Sequence, residues 1–408
     1  MLANLASVRR ATFTTLTMVL LATSGWASET VLHNFGVGMD GQQPLVAMIF
    51  DHAGNLYGTT YAGGNYSLGT VFEMTPNGSG GWTTTVLHSF GSGTDGTHPW
   101  ARLVFDAAGN LYGTTYQGGS RGFGTVFEMS PDGHGGWTER VLHNFGISGT
   151  DGQNPYAALI FDGSGNLYST TYNGGSHSFG TVFEMSPNGS GGWTERVLHN
   201  FGASSLDGQN PWSGVVFDTS GNLFGTTYAG GSRAQGTVFE MTNSGGTWSE
   251  KVIHNFGSGY DGEAPERESL ISDGMGNFYG TTFYGGGYNK GTAYKIAPNG
   301  SGGWTETILH SFGRGFDGEN PYSGLIFDGS GNLYGTTGFG GANAKGTVYE
   351  ISPNGSGGWT ETILHNFGSG ADGNEPIGGV VFDGAGNLYG TTYNGGSHTW
   401  GTVYEITP

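Results

Sequence analysis

The 408-residue chain contains no cysteine, and its 13 lysine and arginine residues are far outnumbered by 32 aspartate and glutamate residues. Without cysteine the chain forms no disulfide, so an exported form relies on its core for stability. A formal net charge of −19 without a basic stripe removes the usual electrostatic basis of nucleic-acid binding. After residue 27, no apolar run approaches the ~18 residues of a membrane span. We therefore expect no nucleic-acid partner and no membrane span.

Residues 1–27 have the pattern of a secretory signal peptide. Arg9 and Arg10 form a positive segment, a short apolar stretch follows, and small residues precede the predicted cleavage site before Ser28. Cleavage leaves residues 28–408 as one domain. We expect the mature protein to be secreted, and we see no C-terminal sorting anchor.

What the sequence does contain is a seven-fold repeat with a period of 55 or 56 residues. Between successive His-[Asn/Ser]-Phe tags the order is Asp-Gly, Pro, an apolar run, Asp-x-x-Gly-Asn, Gly-Thr-Thr, Gly-Gly, Gly-Thr-x-[Phe/Tyr] and Trp. Many of the 83 glycines recur at turn positions, and 13% aromatic residues are too many for a disordered tract. A repeat of about this length is typical of a β-propeller blade. The tag histidines are His33, His88, His143, His199, His254, His310 and His365.

Each repeat predicts four antiparallel strands. In the repeat after Pro155 they are residues 158–161, 167–172, 181–185 and 193–201. The last repeat stops after its third strand, and residues 29–35 form an isolated fourth strand before the first repeat. Pairing these two segments closes a ring and removes an exposed edge. We therefore predict an all-β, seven-bladed β-propeller with four strands per blade.

The run Phe-Asp-x-x-Gly-Asn-Leu-Tyr-Gly-Thr-Thr-Tyr-x-Gly-Gly-x-x-x-x-Gly-Thr-Val-Phe-Glu resembles the GloVer tandem repeat of secreted bacterial proteins. All seven units match, over about residues 29–408, which implies an exported repeat protein but no particular activity. The repeat is more distantly similar to NHL and kelch repeats. The NHL similarity implies that the strand after each Pro lines a central channel. The Asp-Gly-x-x-Pro and Gly-Gly loops of each blade then share one face, here called the upper face.

Candidate ligand-binding residues are those that depart from the repeat on the upper face or in the channel. They include cations of the upper loops, aromatic residues that follow Pro, and the charges that blades 2 and 5 place almost opposite each other. Such aromatic residues suit a sugar ring or, alternatively, a planar ligand. Loop variation, blade packing and structural ion pairs are the alternative interpretations. The predicted residues are Trp100, Arg102, Arg121, Tyr156, Trp212, Arg233, Glu266, Arg267, Glu268, Lys290, Tyr322 and Lys345.

The repeated polar residues predict structure rather than chemistry. One tag histidine per blade leaves neighbouring histidines too far apart to share a metal ion, so we expect a structural role between blades and no metal site. The Asp-Gly and Asp-x-x-Gly-Asn motifs have turn chemistry, and both lack the donor series of a calcium loop. We therefore expect no cofactor, with calcium at these loops as the alternative.

The sequence contains no Gly-x-Ser-x-Gly, His-Glu-x-x-His or cysteine-based motif. We predict an exported, monomeric binding or interaction module whose ligand, an extracellular glycan or a protein, lies on the upper face or at the channel mouth. One alternative is an extracellular polysaccharide lyase or hydrolase that uses Glu266 or Glu268 as base and Arg102 or Arg267 to stabilise an anion. Another is a passive structural protein of the envelope.

Overall fold

The computed structural model describes residues 27–265 and 267–407. All regular secondary structure in these two ranges is β-strand. None of the residues so described belongs to a helix that is long and apolar enough to cross a membrane. The predicted signal peptide lies outside the described residues, except for Ala27.

Each repeat folds into a four-stranded antiparallel sheet, which confirms the predicted blade. In blade 3 the innermost strand Ile160–Phe161 pairs with Leu167–Thr171, followed by Thr181–Pro187 and the outer strand Trp193–Asn200. The first turn is held by Asp162, whose Oδ1 accepts the amides two and four residues further on, both at 2.8 Å. The innermost strand is shorter than predicted because the residues before it leave the sheet and line the channel mouth.

The strand bounds repeat from blade to blade. The innermost strands are Ile49–Phe50, Val104–Phe105, Ile160–Phe161, Val215–Phe217, Ile271–Ser272, Ile326–Phe327 and Val381–Phe382. The second strands are Leu56–Thr60, Leu111–Gly118, Leu167–Thr171, Leu223–Thr227, Phe278–Gly285, Leu333–Thr337 and Leu388–Thr392. The third strands are Thr70–Pro76, Thr125–Pro131, Thr181–Pro187, Thr237–Ser244, Thr292–Pro298, Thr347–Pro353 and Thr402–Thr407. The outer strands of blades 1 to 7 are Trp82–Ser89, Trp137–Asn144, Trp193–Asn200, Thr247–Asn255, Trp304–Ser311, Trp359–Asn366 and Ser28–Asn34.

Short ladders on the upper face join the Asp-Gly loop to the Gly-Gly loop, a feature that the repeat pattern did not predict. In blades 2 and 5 the loop strands Gly96–Pro99 and Gly262–Pro265 pair directly with the long second strands. The other five blades have separate two-residue pairs. These are Gly41–Gln42 with Ala62–Gly63, Gly152–Gln153 with Asn173–Gly174, Gly208–Gln209 with Ala229–Gly230, Gly318–Glu319 with Phe339–Gly340, and Gly373–Asn374 with Asn394–Gly395. The upper loops are therefore fixed to the blades by backbone hydrogen bonds.

The ring closes as predicted, by the first strand of the chain. Ser28–Asn34 pairs antiparallel with Thr402–Thr407, and the register runs from Ser28 opposite Thr407 to Asn34 opposite Thr402. A register shift between Val31 and His33 matches the shifts between the third and outer strands of the other blades. Blade 7 is thus complete only because it takes its outer strand from the opposite end of the chain.

Seven equivalent hydrophobic clusters fill the ring, one at each junction between blades. Between blades 7 and 1, Phe35 and Val403 pack against Leu56 and Phe72, all with no exposed surface, and Tyr389 lies in the same cluster. The other six clusters are formed by apolar residues at the equivalent positions of the repeat. Since a blade alone leaves one of its faces uncovered, burial of this apolar surface depends on the neighbouring blade.

Candidate functional site

The segments that follow Pro bring aromatic side chains from several blades to the upper mouth of the channel. The ring centroids of Trp100 and Tyr156 are 5.2 Å apart, and those of Tyr156 and Trp212 are 5.6 Å apart. Tyr61 extends the series at 4.9 Å from Trp100, and Tyr228 extends it at 5.2 Å from Trp212. All five side chains are half-buried, so each packs against its neighbours and also offers surface to a ligand.

Arg267 of blade 5 occupies the middle of this mouth. Its guanidinium carbon lies 5.2 Å from the ring centroid of Trp100, 5.3 Å from that of Trp212 and 4.7 Å from that of Tyr322. Rings from blades 2, 4 and 6 therefore surround one cation, and each such contact contributes about 0.5–2 kcal/mol, depending on desolvation. The inner segment of blade 5 is one residue longer than in the other blades, and Arg267 lies within this longer segment.

The upper cavity beside Arg267 has a volume of about 260 Å³ and opens toward the upper face. Apolar and aromatic side chains form most of its wall, and Glu375 is its carboxylate. An oxygen of Glu375 accepts a hydrogen bond from the Asn394 amide at 2.9 Å, which fixes this carboxylate at the edge. The other lining residues are Leu45, Tyr61, Trp100, Tyr322, Phe339, Ile377 and Tyr393.

A second, smaller cavity of about 90 Å³ lies deeper in the channel, and Arg267 and Trp100 line both cavities. Small residues at the start of the inner strands leave this space open. At Gly324, an added Cβ would lie only 2.7 Å from the Cβ of Glu268, so glycine in blade 6 makes room for the Glu268 side chain. Arg102 from blade 2 lines the same cavity.

The enzymatic alternative needs one of its two glutamates beside one of its two arginines, and Glu268 lines this cavity together with Arg102 and Arg267. Arg102 is exposed and forms no ion pair with any described residue. Glu268 is the single carboxylate among the described residues that line this cavity. Hydrolysis of a glycosidic bond ordinarily needs two carboxylates about 5–10 Å apart. The predicted Glu266 lies outside the described residues, so the described lining supplies one member of such a pair.

The remaining predicted cations lie away from the mouth. Arg121, Arg233 and Lys345 are exposed on Gly-Gly loops and line neither cavity. The Lys290 ammonium lies 2.7 Å from the Glu319 carboxylate, which forms an ion pair between neighbouring blades. The predicted residues that the structure does bring together at the mouth are Trp100, Arg102, Tyr156, Trp212, Arg267, Glu268 and Tyr322.

Sequence reasoning missed a polar network that links neighbouring outer strands. Between blades 1 and 2, His88 Nε2 lies 2.9 Å from Asp95 Oδ2, and Glu139 of the next outer strand completes the set. In each such set, atoms of the three side chains lie within 4.8 Å of one another. The repeated sets are Glu29 with His365 and Asp372, His143 with Asp151 and Glu195, His199 with Asp207 and Glu250, and His254 with Asp261 and Glu306. His310, Asp317 and Glu361 interact in the same way.

The glutamates of this network retain their protons more strongly than an exposed glutamate does. Burial, followed by the charge of Asp95, raises the pKa of Glu139 to about 7. Burial and the adjacent Asp261 raise the pKa of Glu306 to about 9. Among the described residues, one buried oxygen of Asp261 and one of Glu306 have no assigned hydrogen-bond donor. A proton on Glu306 supplies that donor, so the two carboxyl groups share it.

Histidine, aspartate and glutamate are also metal-ligand types. The expectation of no metal site was based on the separation of the histidines from one another and did not consider the glutamates. The His88–Asp95 hydrogen bond and the raised pKa of Glu139 account for part of this arrangement, and the expectation of no metal site stays a prediction. The His–Asp contact agrees with the expected structural role between blades.

The comparisons with known proteins support the fold. The model of the Gloeobacter/Verrucomicrobia repeat matches residues 17–231, 135–299 and 214–408. No curated protein matches this sequence. The chain is similar to the extracellular domain of a putative hybrid two-component system from B. thetaiotaomicron, with a TM-score of 0.57 and 13% identity, covering 93% of this chain and 40% of that one. It is also similar to a putative 6-phosphogluconolactonase from Bacteroides uniformis, with a TM-score of 0.50 and 15% identity, covering 78% of this chain and 84% of that one.

Both solved structures are so distant in sequence that they show the fold alone. The three overlapping matches of the repeat model, by contrast, extend through all seven blades and the strand that closes the ring. This chain therefore belongs to the Gloeobacter/Verrucomicrobia repeat family.

Proposed function

We propose that this protein is an exported binding module that holds an extracellular glycan at the upper mouth of its channel. The observation that supports this proposal is the convergence of aromatic residues from separate repeats. Trp100, Tyr156, Trp212 and Tyr322 are each about one repeat or more apart in sequence, yet they lie around one mouth with Arg267 among them. Packing within a blade does not require rings from blades 2, 4 and 6 to meet.

The chemistry of the mouth suits a sugar. A pyranose ring has an apolar face of C–H groups and an edge of hydroxyl groups, so it fits an aromatic wall that carries a few polar groups. Tyr61, Tyr393 and Phe339 provide such a wall in the upper cavity, while Arg267 and Glu375 provide a donor and an acceptor. The volume of about 260 Å³ accommodates one sugar unit with its neighbours in solvent.

Export is part of the same proposal. The predicted signal peptide places the mature chain outside the cytoplasm, where polysaccharides are abundant. The similar structure from B. thetaiotaomicron is itself an extracellular domain.

A double variant tests this assignment. Trp100→Ala with Trp212→Ala is expected to reduce glycan affinity at least tenfold, because each aromatic contact contributes about 0.5–1.5 kcal/mol beyond its buried area. Binding is measured on a glycan array and quantified by calorimetry at equal concentrations of folded protein.

Trp137→Ala with Trp193→Ala is the matched control, since it also removes two half-buried indoles but from outer strands of blades 2 and 3. We expect this control to bind like the unaltered protein. Equal binding by both double variants would show that the mouth is not the glycan site.

A further inference from the structure

The outer edge of the upper face is not the same all round the ring. Across blades 4 to 6, five successive loops carry an exposed aromatic residue, an exposed cation or both. Tyr260 and Phe316 are each 78% exposed, and Tyr288 is 49% exposed. We call this set the rim arc. It consists of Arg233, Tyr260, Tyr288, Arg314, Phe316 and Lys345.

Turn geometry explains why these side chains point outward. Tyr260 and Phe316 directly precede the aspartates of the Asp-Gly motifs. Asp261 and Asp317 point into the blade junctions, where His254 and His310 lie 3.2 and 2.9 Å away. The residue before each aspartate is therefore directed to solvent, and the repeat itself fixes two aromatic rings on the arc.

The backbone also positions a cation on the arc. The aliphatic stem of Lys345 lies across Gly368, where an added Cβ would be 2.5 Å from the lysine Cγ. Gly368 has a φ of +94°, a conformation that side chains with a Cβ rarely adopt. Glycine at this turn therefore lets the lysine stem lie flat, and its ammonium group lies at the edge of the upper face.

The charge of the arc is opposite to that of the whole chain. Arg233, Arg314 and Lys345 are exposed and form no ion pair within the described residues. On the same loops Asp317 binds His310 and Glu319 binds Lys290, while Glu263 is a half-buried carboxylate. The same loops of blades 1 to 3 carry one exposed arginine, Arg121. In a chain of net charge −19, these loops thus gather three exposed cations that have no ion pair among the described residues.

From this combination of exposed rings and cations we infer that the rim arc binds an anionic polysaccharide, with carboxylate or sulfate groups on the cations and sugar faces on the aromatic rings. A protein partner of the usual kind requires a contiguous apolar core with few charges, whereas here exposed cations lie on the same set of loops as the rings. A polymer that carries both sugar rings and anions offers a contact to each kind of side chain. The inference rests on the proposed function, because it extends the same glycan from the mouth onto the rim.

The experiment compares two charge-matched variants. The arc variant carries Arg233→Gln, Arg314→Gln and Lys345→Gln, which keep most of each stem. The control carries Arg140→Gln, Arg196→Gln and Lys251→Gln, three exposed cations at equivalent positions on the outer strands of blades 2, 3 and 4. Both variants have the same net charge, so long-range electrostatics changes equally.

Affinity is measured for dextran sulfate against dextran, and for polygalacturonate against its methyl ester, at low and high salt. We expect the protein to prefer the anionic member of a pair, to lose affinity as salt rises, and to lose at least tenfold in the arc variant but not in the control. Equal loss in both variants, or equal binding of charged and neutral polymers, would overturn the inference.

The two proposals fail in different ways. Glycan binding that depends on Trp100 and Trp212, together with polyanion affinity that is unchanged in the arc variant, would leave the mouth as the site and remove the arc. Polyanion binding that depends on the arc but not on the two tryptophans would support the arc and remove the mouth. If none of the four polymers nor any arrayed glycan binds, both proposals are wrong.

Discussion

Deletion of residues 28–36 is expected to abolish cooperative folding. The deletion removes the whole outer strand of blade 7 and leaves Thr402–Thr407 as an open edge. It also removes Phe35, which has no exposed surface. Truncation of one such side chain costs about 3–5 kcal/mol, against a typical total stability of about 5–15 kcal/mol. Circular dichroism during heating and size-exclusion chromatography measure the result.

A circular permutation is the control for this deletion. Moving residues 28–36 to follow Thr407, through a copy of the loop that joins the third and outer strands in the other blades, restores the strand by a local hairpin. We expect the permuted chain to melt and elute like the unaltered protein. A truncated chain with an unchanged melting midpoint and elution volume would contradict closure by the first strand.

The second large effect is a fall in the free energy of unfolding as the pH rises above the usual pKa of glutamate. Burial beside an aspartate raises the pKa of Glu29, Glu139, Glu195 and Glu250 to about 7. In the unfolded chain these groups lose their protons near the usual value of 4.5. Between these two values the folded state holds more protons, so the free energy of unfolding falls as the pH rises.

The free energy of unfolding continues to fall at higher pH because of the two blade junctions that contain Glu306 and Glu361. Burial and the neighbouring aspartate raise the pKa of Glu306 and Glu361 to about 9. Solvent screening reduces the effect of such partly exposed groups, so we expect roughly 1 kcal/mol per junction rather than the full value of the shift. Below the usual pKa of aspartate the trend reverses. Burial raises the pKa of Asp261, but hydrogen bonds from His254 and Glu306 lower it below its usual value, and that contribution is lost in acid.

Chemical denaturation at a series of pH values measures this profile, and three substitutions assign it. Glu306→Gln and Glu361→Gln keep a donor toward the aspartate but cannot ionise, so the decline between pH 7 and 9 should flatten. The junction of blades 7 and 1 has Thr84 in place of the glutamate, and Asp40 there is more exposed than the other aspartates of the network. Thr84→Glu should therefore add a seventh titrating group. A profile that none of these substitutions alters would show that the network does not control pH stability.

The sequence predicted the ring because the information is local and repeated. Turn residues such as Asp162 and Gly165 mark each hairpin, and counting strands shows that residues 29–35 have only the last repeat to pair with. The Glu139 network was missed for the opposite reason. Nothing in its own strand distinguishes Glu139 from a residue near solvent, and its partners His88 and Asp95 belong to the preceding repeat. Contacts of this kind exist only after two blades pack.

The site was predicted in part. Aromatic residues after Pro were expected at the mouth, and Trp100 and Trp212 lie there. Arg267 was predicted to face the channel, but its contacts with three rings were not, because one inserted residue changes the path of the inner segment and the repeat no longer predicts its direction. The apolar residues of the rim arc, Tyr260 and Phe316, were missed because their exposure depends on which way the next aspartate turns.

Closure by Ser28–Asn34 has a consequence for proteolysis of the chain. In an open stack of blades, one cut by a protease separates two fragments that share a single interface. In this ring, the two pieces of a chain cut once remain in contact at two places. One is the blade that is cut, and the other is blade 7, where the first and last strands of the chain pair. The molecule obtains without cysteine the tolerance to a single nick that small secreted proteins obtain from disulfides.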